Sequence, residues 1–326
     1  MEVKVKPKIF IHSWLSDDLL SRLEKNFDID HHDTSELILS GNELLDRVIN
    51  VEGILAQSPI IDKTLIQSCS NLKIVSNVGV GFDNIDVNFC TRKGIQVTNT
   101  PGILNDAVAD MSMALLLAIA RRVPEGDRIV RSGGFKANFY HLLWGADLKG
   151  ENLGIIGMGS IGQDVAKRAL PFGLNIKYHN RNRLSKDIES NLNAEWMSLI
   201  DLLKSCRYIV ILCPLTKETK HLITIKEFKN MKKNSFLINI ARGPIVKESD
   251  LIIALNNKLI SGCALDVYEF EPNYDIKLAK MDNVVLAPHA GSASVKSRTG
   301  MVELAAKNIE TFFIEKKVLN SVNTII

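Results

Sequence analysis

Residues 153–172 constrain the fold of this chain more than any other stretch. Leu153-Gly-Ile-Ile156 is a short apolar run suited to a buried strand, Gly157-Met-Gly159-Ser-Ile-Gly162 follows at once, and Ile161–Phe172 reads as a helix. A G-x-G-x-x-G is weak evidence alone, but between a strand and a helix it is the turn that cradles a dinucleotide pyrophosphate. The first glycine permits the tight turn, the second lets backbone approach the anion, and the third lets helix and strand pack closely. Ser160 and Ile161 complete the loop, and the amides at the start of the helix face the anion.

The rest of the chain repeats the strand–helix alternation around this point. Strands are expected at Lys8–Ile11, Gly53–Leu55, Lys73–Asn77 and Gln96–Thr98, with helices near Asp17–Asn26, Asn42–Ile49, Lys63–Ser68 and Ile85–Lys93. After the Pro101-Gly102 break, a helix at about Asn105–Arg121 has a middle that is apolar all round, which implies burial on several sides and the role of a connector between domains, with a subunit contact as the second reading. Residues 124–147 read as irregular. Further strands are expected at Asn152–Ile156, Asn175–Tyr178, Tyr208–Leu212, Phe236–Asn239, Gly262–Leu265 and Val284–Leu286, and a last helix at about Val295–Lys316. Ser40…Glu43, Ser198…Asp201 and Thr224…Glu227 have capping-box spacing. This order predicts an α/β fold with two doubly wound parallel sheets and right-handed crossovers.

Composition excludes several classes. Of 326 residues, 46% are hydrophobic and 24% charged, and 40 basic against 37 acidic side chains leave a formal charge of +3. That balance gives no nucleic-acid footprint. The longest apolar stretch, Met111–Ala120, is too short for a bilayer span of about 20 residues. The charged start, Met-Glu-Val-Lys-Val-Lys, has no secretory core, so a cytoplasmic location without membrane contact is expected. The five cysteines, at 69, 90, 206, 213 and 263, include no C-x-x-C, and neither a disulfide frame nor a metal site is expected.

Cofactor choice is read at the end of the strand after the glycine loop. An acidic side chain about 20 residues on binds the ribose 2′-OH of NAD. Here Asn180 stands at that point, followed by Arg181 and Arg183, and the nearest carboxylate is Asp187. A guanidinium can hold a 2′-phosphate bidentately, so NADP(H) is expected over NAD(H), which stays possible; a basic solvated turn is the plainer alternative. Three further polar residues follow strand ends, where doubly wound folds bind ligands. They are Arg242, Glu271 and His289. Together they suit reduction of a 2-keto acid: a cation to hold the carboxylate and polarise the carbonyl, an imidazole to protonate the alkoxide, and a carboxylate to orient the imidazole and favour its charged form.

The chain resembles the D-isomer-specific 2-hydroxyacid dehydrogenases. The resemblance rests on Val78-Gly-Val-Gly-Phe-Asp-Asn-Ile-Asp86, Thr98-Asn-Thr-Pro-Gly102, Leu153–Gly162, Leu237-Ile-Asn-Ile-Ala-Arg-Gly243, Ala264-Leu-Asp-Val-Tyr-Glu-Phe-Glu-Pro272 and Ala287-Pro-His-Ala-Gly291, in that order. It implies a Rossmann coenzyme domain, 102–288, inserted into a flavodoxin-like catalytic domain formed by 1–101 and the C-terminal helix, 289–326. It makes Arg242, Glu271 and His289 catalytic, places Asp266 by the nicotinamide carboxamide, and passes Cys213-Pro214 and Thr219 over the adenosine side. Ile240 and Gly291 would also line the cofactor, and Val80, Gly81 and Ser292 the substrate. A homodimer is implied, with Trp144, after Phe139-Tyr140, at the pocket, at the dimer contact or in ordinary packing. Ala290-Gly-Ser-Ala-Ser294 and Asn180-Arg181 are similar to glyoxylate and hydroxypyruvate reductases that use NADPH, with 2-ketogluconate as the alternative substrate. A nucleotide-sensing corepressor is the alternative from another class.

Overall fold

The computed structural model describes residues 5–35, 37–136 and 143–325. Their contacts divide the chain into two compact units, Met1–Leu104 with Ser294–Ile326, and Asn105–Ala293. The second break falls after, not before, His289, because Asp266 in the second unit binds the backbone of residues 289–291.

The first unit holds one five-stranded parallel sheet in the order β2-β1-β3-β4-β5. The strands are β1 Lys8–His12, β2 Asp28–His32, β3 Gly53–Ala56, β4 Ile74–Asn77 and β5 Gln96–Thr98. This 2-1-3-4-5 order is the flavodoxin-like arrangement. Strands β3 and β4 are buried throughout, as expected for a sheet covered on both faces. One cover is the helix Val295–Glu310, whose Ala305 carbonyl accepts from the Ser76 hydroxyl; a π-helical turn, Thr311–Glu315, extends it. Strand β2, Asp-Ile-Asp-His-His, was not expected from sequence. It is a half-buried edge strand whose polar residues carry no β signal, and its register with β1 defines it.

The second unit holds seven parallel strands in the order β12-β11-β10-β9-β6-β7-β8. They are β6 Asn152–Ile156, β7 Asn175–His179, β8 Ala194–Trp196, β9 Tyr208–Ile211, β10 Phe236–Asn239, β11 Gly262–Leu265 and β12 Val284–Leu286. From β8 inward this is the Rossmann 3-2-1-4-5-6 order with one added strand, and its switch point lies between β6 and β9. The three-residue edge strand β8 was likewise not expected.

The apolar helix Asn105–Ala120 owes its composition to packing within its own unit. It lies against the helix Ser160–Ala169 and strands β10–β12, burying Val108, Met113, Leu115, Leu116 and Ile119. Arg168 ties the two helices by bonding Asp106 and Asp110. Part of the stretch read as irregular is a helix, Val123–Arg131. Pro124 suggested a break, but a proline in the first turn costs no hydrogen bond. Phe139 and Tyr140 lie outside the described residues. At Ser40 the expected cap is missing: Gly41 takes φ 57° and the hydroxyl makes no cap bond. Thr224 and Glu227 form the full capping box, while Ser198 caps Asp201 N. Among the described residues, no helix is long and apolar enough to cross a membrane. No group of three or more His, Cys, Asp or Glu among them could hold a metal ion.

Candidate active site

The glycine loop sits at the switch point with each glycine in a different environment. Gly157 has φ 103°, and a Cβ there would run into the backbone of Leu212 and Cys213. A side chain at Gly162 would meet the Gly157 carbonyl oxygen at 2.5 Å, so the third glycine seats the helix on the strand. A Cβ at Gly159 would meet nothing within 4 Å. That open side, beside exposed Ser160 and half-buried Ile161, leaves room for a pyrophosphate. Gly159 is also the N-cap and offers no side-chain cap, so the first amides of the helix Ser160–Ala169 remain for an anion. These features fit a dinucleotide.

The next turn is more committed than its sequence suggested. The Asn180 amide bonds backwards to the loop, accepting from Met158 N at 2.7 Å and donating to Met158 O at 3.4 Å. Trp196 Nε1 holds the Asn180 carbonyl at 3.2 Å. Arg183 forms a bidentate pair with Glu189, at 2.8 and 2.7 Å. The buried Tyr178 hydroxyl donates to the same carboxylate at 2.6 Å and accepts from Leu184 N at 2.9 Å. Hydrogen bonds from Arg183, then from Tyr178, hold the Glu189 carboxyl down to about 2. Arg181 is exposed. Cys213 lies behind Gly157, its thiol pushed up to about 11 by burial, and the Thr219 hydroxyl closes the following turn on Pro214 O at 2.6 Å.

Beyond β10, β11 and β12, three chain segments carry the polar set. His289 Nδ1 lies 2.7 Å from Glu271 Oε2, and Tyr268 N donates to Glu271 Oε1 at 2.8 Å. Burial alone would raise the Glu271 carboxyl, but the His289 hydrogen bond and charge, the Tyr268 amide and the charge of Arg242 outweigh it and hold it below the ordinary carboxylate range. The pair therefore forms fully above the ordinary carboxylate pKa and is lost as pH falls through the lowered one. His289 has φ 53°, a left-handed backbone that few residues adopt. Buried Asp266 fixes it: its carbonyl accepts from His289 N at 2.8 Å, and its carboxylate oxygens accept from Ala290 N at 2.7 Å and Gly291 N at 2.8 Å. Ile240 packs against Gly291, and Ser292 beside it is half-buried.

Arg242 is half-buried, with Nη1 donating to Ala241 O at 2.8 Å. Buried Asn239, which sequence reasoning missed, shapes its turn, donating to Arg242 O at 3.0 Å and accepting from Ala241 N at 3.2 Å. The signal was legible: an asparagine two residues before a turn residue is a natural Asx turn. Also missed was the tie between the Arg242 and Glu271 segments. His221 N donates to Pro244 O, while its Nε2 lies 2.6 Å from Glu269 Oε1, and Glu269 Oε2 accepts from Glu248 N.

In the first unit, the loop after β4 has its carbonyls tied inward. Buried Asn77 donates to Gly79 O at 3.3 Å and Gly81 O at 2.8 Å, and Asn99 donates to Val80 O at 2.9 Å. In a trans peptide the next N–H points opposite to the carbonyl. The amides of Val80, Gly81 and Phe82 therefore point away from the carbonyls that those asparagines hold.

The two sheet orders and the glycine loop define a dinucleotide-binding α/β protein. The chain belongs to the D-isomer-specific 2-hydroxyacid dehydrogenases, whose NAD binding domain matches residues 113–291. It is 45% identical over 313 residues to the glyoxylate reductase of Pyrococcus horikoshii, covering 94% of this chain and 93% of that protein. The TT0316 protein from Thermus thermophilus superposes with a TM-score of 0.89 at 37% identity, over 97% of this chain and 100% of that one. The NADPH-dependent glyoxylate/hydroxypyruvate reductase of Sinorhizobium meliloti, solved with NADP and malonate, does so with a TM-score of 0.86 at 31% identity, over 97% of each chain. The protein is thus an NAD(P)-dependent oxidoreductase acting on CH–OH groups.

If Glu271 orients His289, Glu271→Gln, which can still accept from Nδ1 but carries no charge, should lower kcat and leave the KM for the keto acid little changed. An unchanged kcat would refute the orienting role.

Proposed function

We propose that the protein reduces a small 2-keto acid, glyoxylate or hydroxypyruvate, to the D-2-hydroxy acid with NADPH. The observation that carries the reading is the His289–Glu271 pair at 2.7 Å beside the Arg242 turn. Bound nicotinamide supplies the hydride to C2. Arg242 holds the substrate carboxylate and polarises the carbonyl. Because Nδ1 faces Glu271, Nε2 of His289 carries the proton that the new alkoxide takes up. Ser292, beside Gly291, is a further contact for the substrate. Glyoxylate reductases among the relatives support the substrate class. A substrate panel with both cofactors is the direct test, and no turnover of any 2-keto acid would favour a nucleotide-sensing role.

NADPH is assigned because Asn180 and Arg181 stand where an NAD enzyme places a carboxylate. One charge-assisted hydrogen bond is worth about 1.5–3 kcal/mol, or roughly ten- to a hundredfold in binding. NADPH should therefore exceed NADH in kcat/KM by at least about tenfold. Asn180→Asp with Arg181→Gln should reverse the order, since aspartate can still accept from Met158 N. Equal efficiency with NADH in the wild type would mean that the turn is only a basic surface loop. A homodimer belongs to the same reading. Val123, Val130, Phe135 and Trp144 in the second unit are 58–71% exposed apolar side chains that a second copy would cover. A solution mass of twice the chain's would support it, and a monomer mass would remove it.

A further inference from the structure

The Tyr178–Glu189–Arg183 cluster lies on the turn that carries Asn180 and Arg181, and nothing in the chemistry above uses it. Its geometry is that of a built contact. Arg183 presents Nε and Nη2 to the two oxygens of one carboxylate, and the fully buried Tyr178 hydroxyl fixes that carboxylate from below. The Glu189 side chain is only 9% exposed, whereas that of Arg183 is 59% exposed. The carboxylate is therefore the fixed member, and the guanidinium comes to it. Arg181, two residues earlier, makes no hydrogen bond or ion pair among the described residues, and Glu218 feels its charge only at longer range. Two arginines that look equivalent in the sequence thus differ in commitment.

Resting on the NADPH reading above, we propose that Glu189 is a specificity-determining residue: it holds Arg183 away from the cofactor's ribose and so limits the preference for NADPH, which Arg181 carries. A 2′-phosphate would have to draw Arg183 out of a bidentate pair before the guanidinium could hold it. A 2′-hydroxyl makes no such demand. Removing the carboxylate should thus raise NADPH efficiency and leave that of NADH near its starting value.

Steady-state kinetics with both cofactors, at fixed glyoxylate and ionic strength, test this. Glu189→Gln keeps the shape and the acceptor for Tyr178 but loses the charge. It should raise the NADPH/NADH ratio of kcat/KM by roughly three- to fivefold, the scale of an exposed ion pair, through a lower KM for NADPH. Adding Arg183→Gln should abolish that gain. A merely structural role for Glu189 would instead lower both cofactors' efficiencies together. An unchanged or lower ratio in Glu189→Gln overturns the inference, as does a gain that survives the loss of Arg183. Should Glu189→Gln not fold, the single variants decide: Arg181→Gln should cost more of the wild-type ratio than Arg183→Gln, and the reverse order overturns the proposal. A wild type that prefers NADH would sink the NADPH assignment itself, and is read separately from the change that Glu189→Gln makes.

Discussion

His289→Ala is expected to lower kcat by about 10²- to 10⁴-fold, the usual worth of a positioned general acid, with NADPH affinity little changed. The imidazole and its backbone are both held in place. Glu271 occupies Nδ1, and Asp266 fixes a left-handed backbone at His289 through its carbonyl and both carboxylate oxygens. Alanine removes the proton carried on Nε2 and leaves the turn, which the backbone of residues 289–291 anchors. On the proposed reading, cofactor affinity rests on the glycine loop and the Asn180 turn, on other strands of the sheet. Single-turnover rates with a fluorescence titration of NADPH separate the two effects. A kcat near that of the wild type would end the assignment of His289 as proton donor.

Arg242→Lys should cost about ten- to a hundredfold in kcat/KM toward keto acids, with the melting temperature close to that of the wild type. Lysine keeps the charge but loses the planar fork that meets a carboxylate through two parallel bonds and polarises an adjacent carbonyl. The bond from Nη1 to Ala241 O is lost, but Asn239 still holds the Arg242 carbonyl and Gly243 still packs against the backbone of Tyr268 and Glu269. The loss should therefore appear in substrate kinetics and not in folding. Preserved KM and kcat would show that Arg242 does not clamp the substrate.

Local chemistry makes the phosphate loop legible in the sequence alone. The glycines at 157 and 162 are needed for contacts within a few residues of themselves or with a neighbouring buried strand, and hydrophobic strands such as Phe236–Asn239 and Gly262–Leu265 announce themselves by composition. The edge strands Asp28–His32 and Ala194–Trp196 do not, because an edge needs little burial and is defined by its partner's hydrogen bonds.

The same division runs through the candidate site residues. Arg242, Glu271 and His289 could be named as a set because each follows a strand end. That His289 meets Glu271 through Nδ1, and that Asp266 and Asn239 support the turns, follows only once residues as far as 25 positions apart are packed together. The turn after β7 shows the difference most plainly. Asn180, Arg181 and Arg183 read from the chain as one basic patch. In the folded unit, Asn180 is bonded to Met158 and Arg183 to Glu189, and Arg181 alone faces solvent without a partner among the described residues. Residue type sets which charges a turn can offer; which of them remain available depends on the neighbours that folding brings within hydrogen-bond reach, and those contacts fall off within a few ångströms.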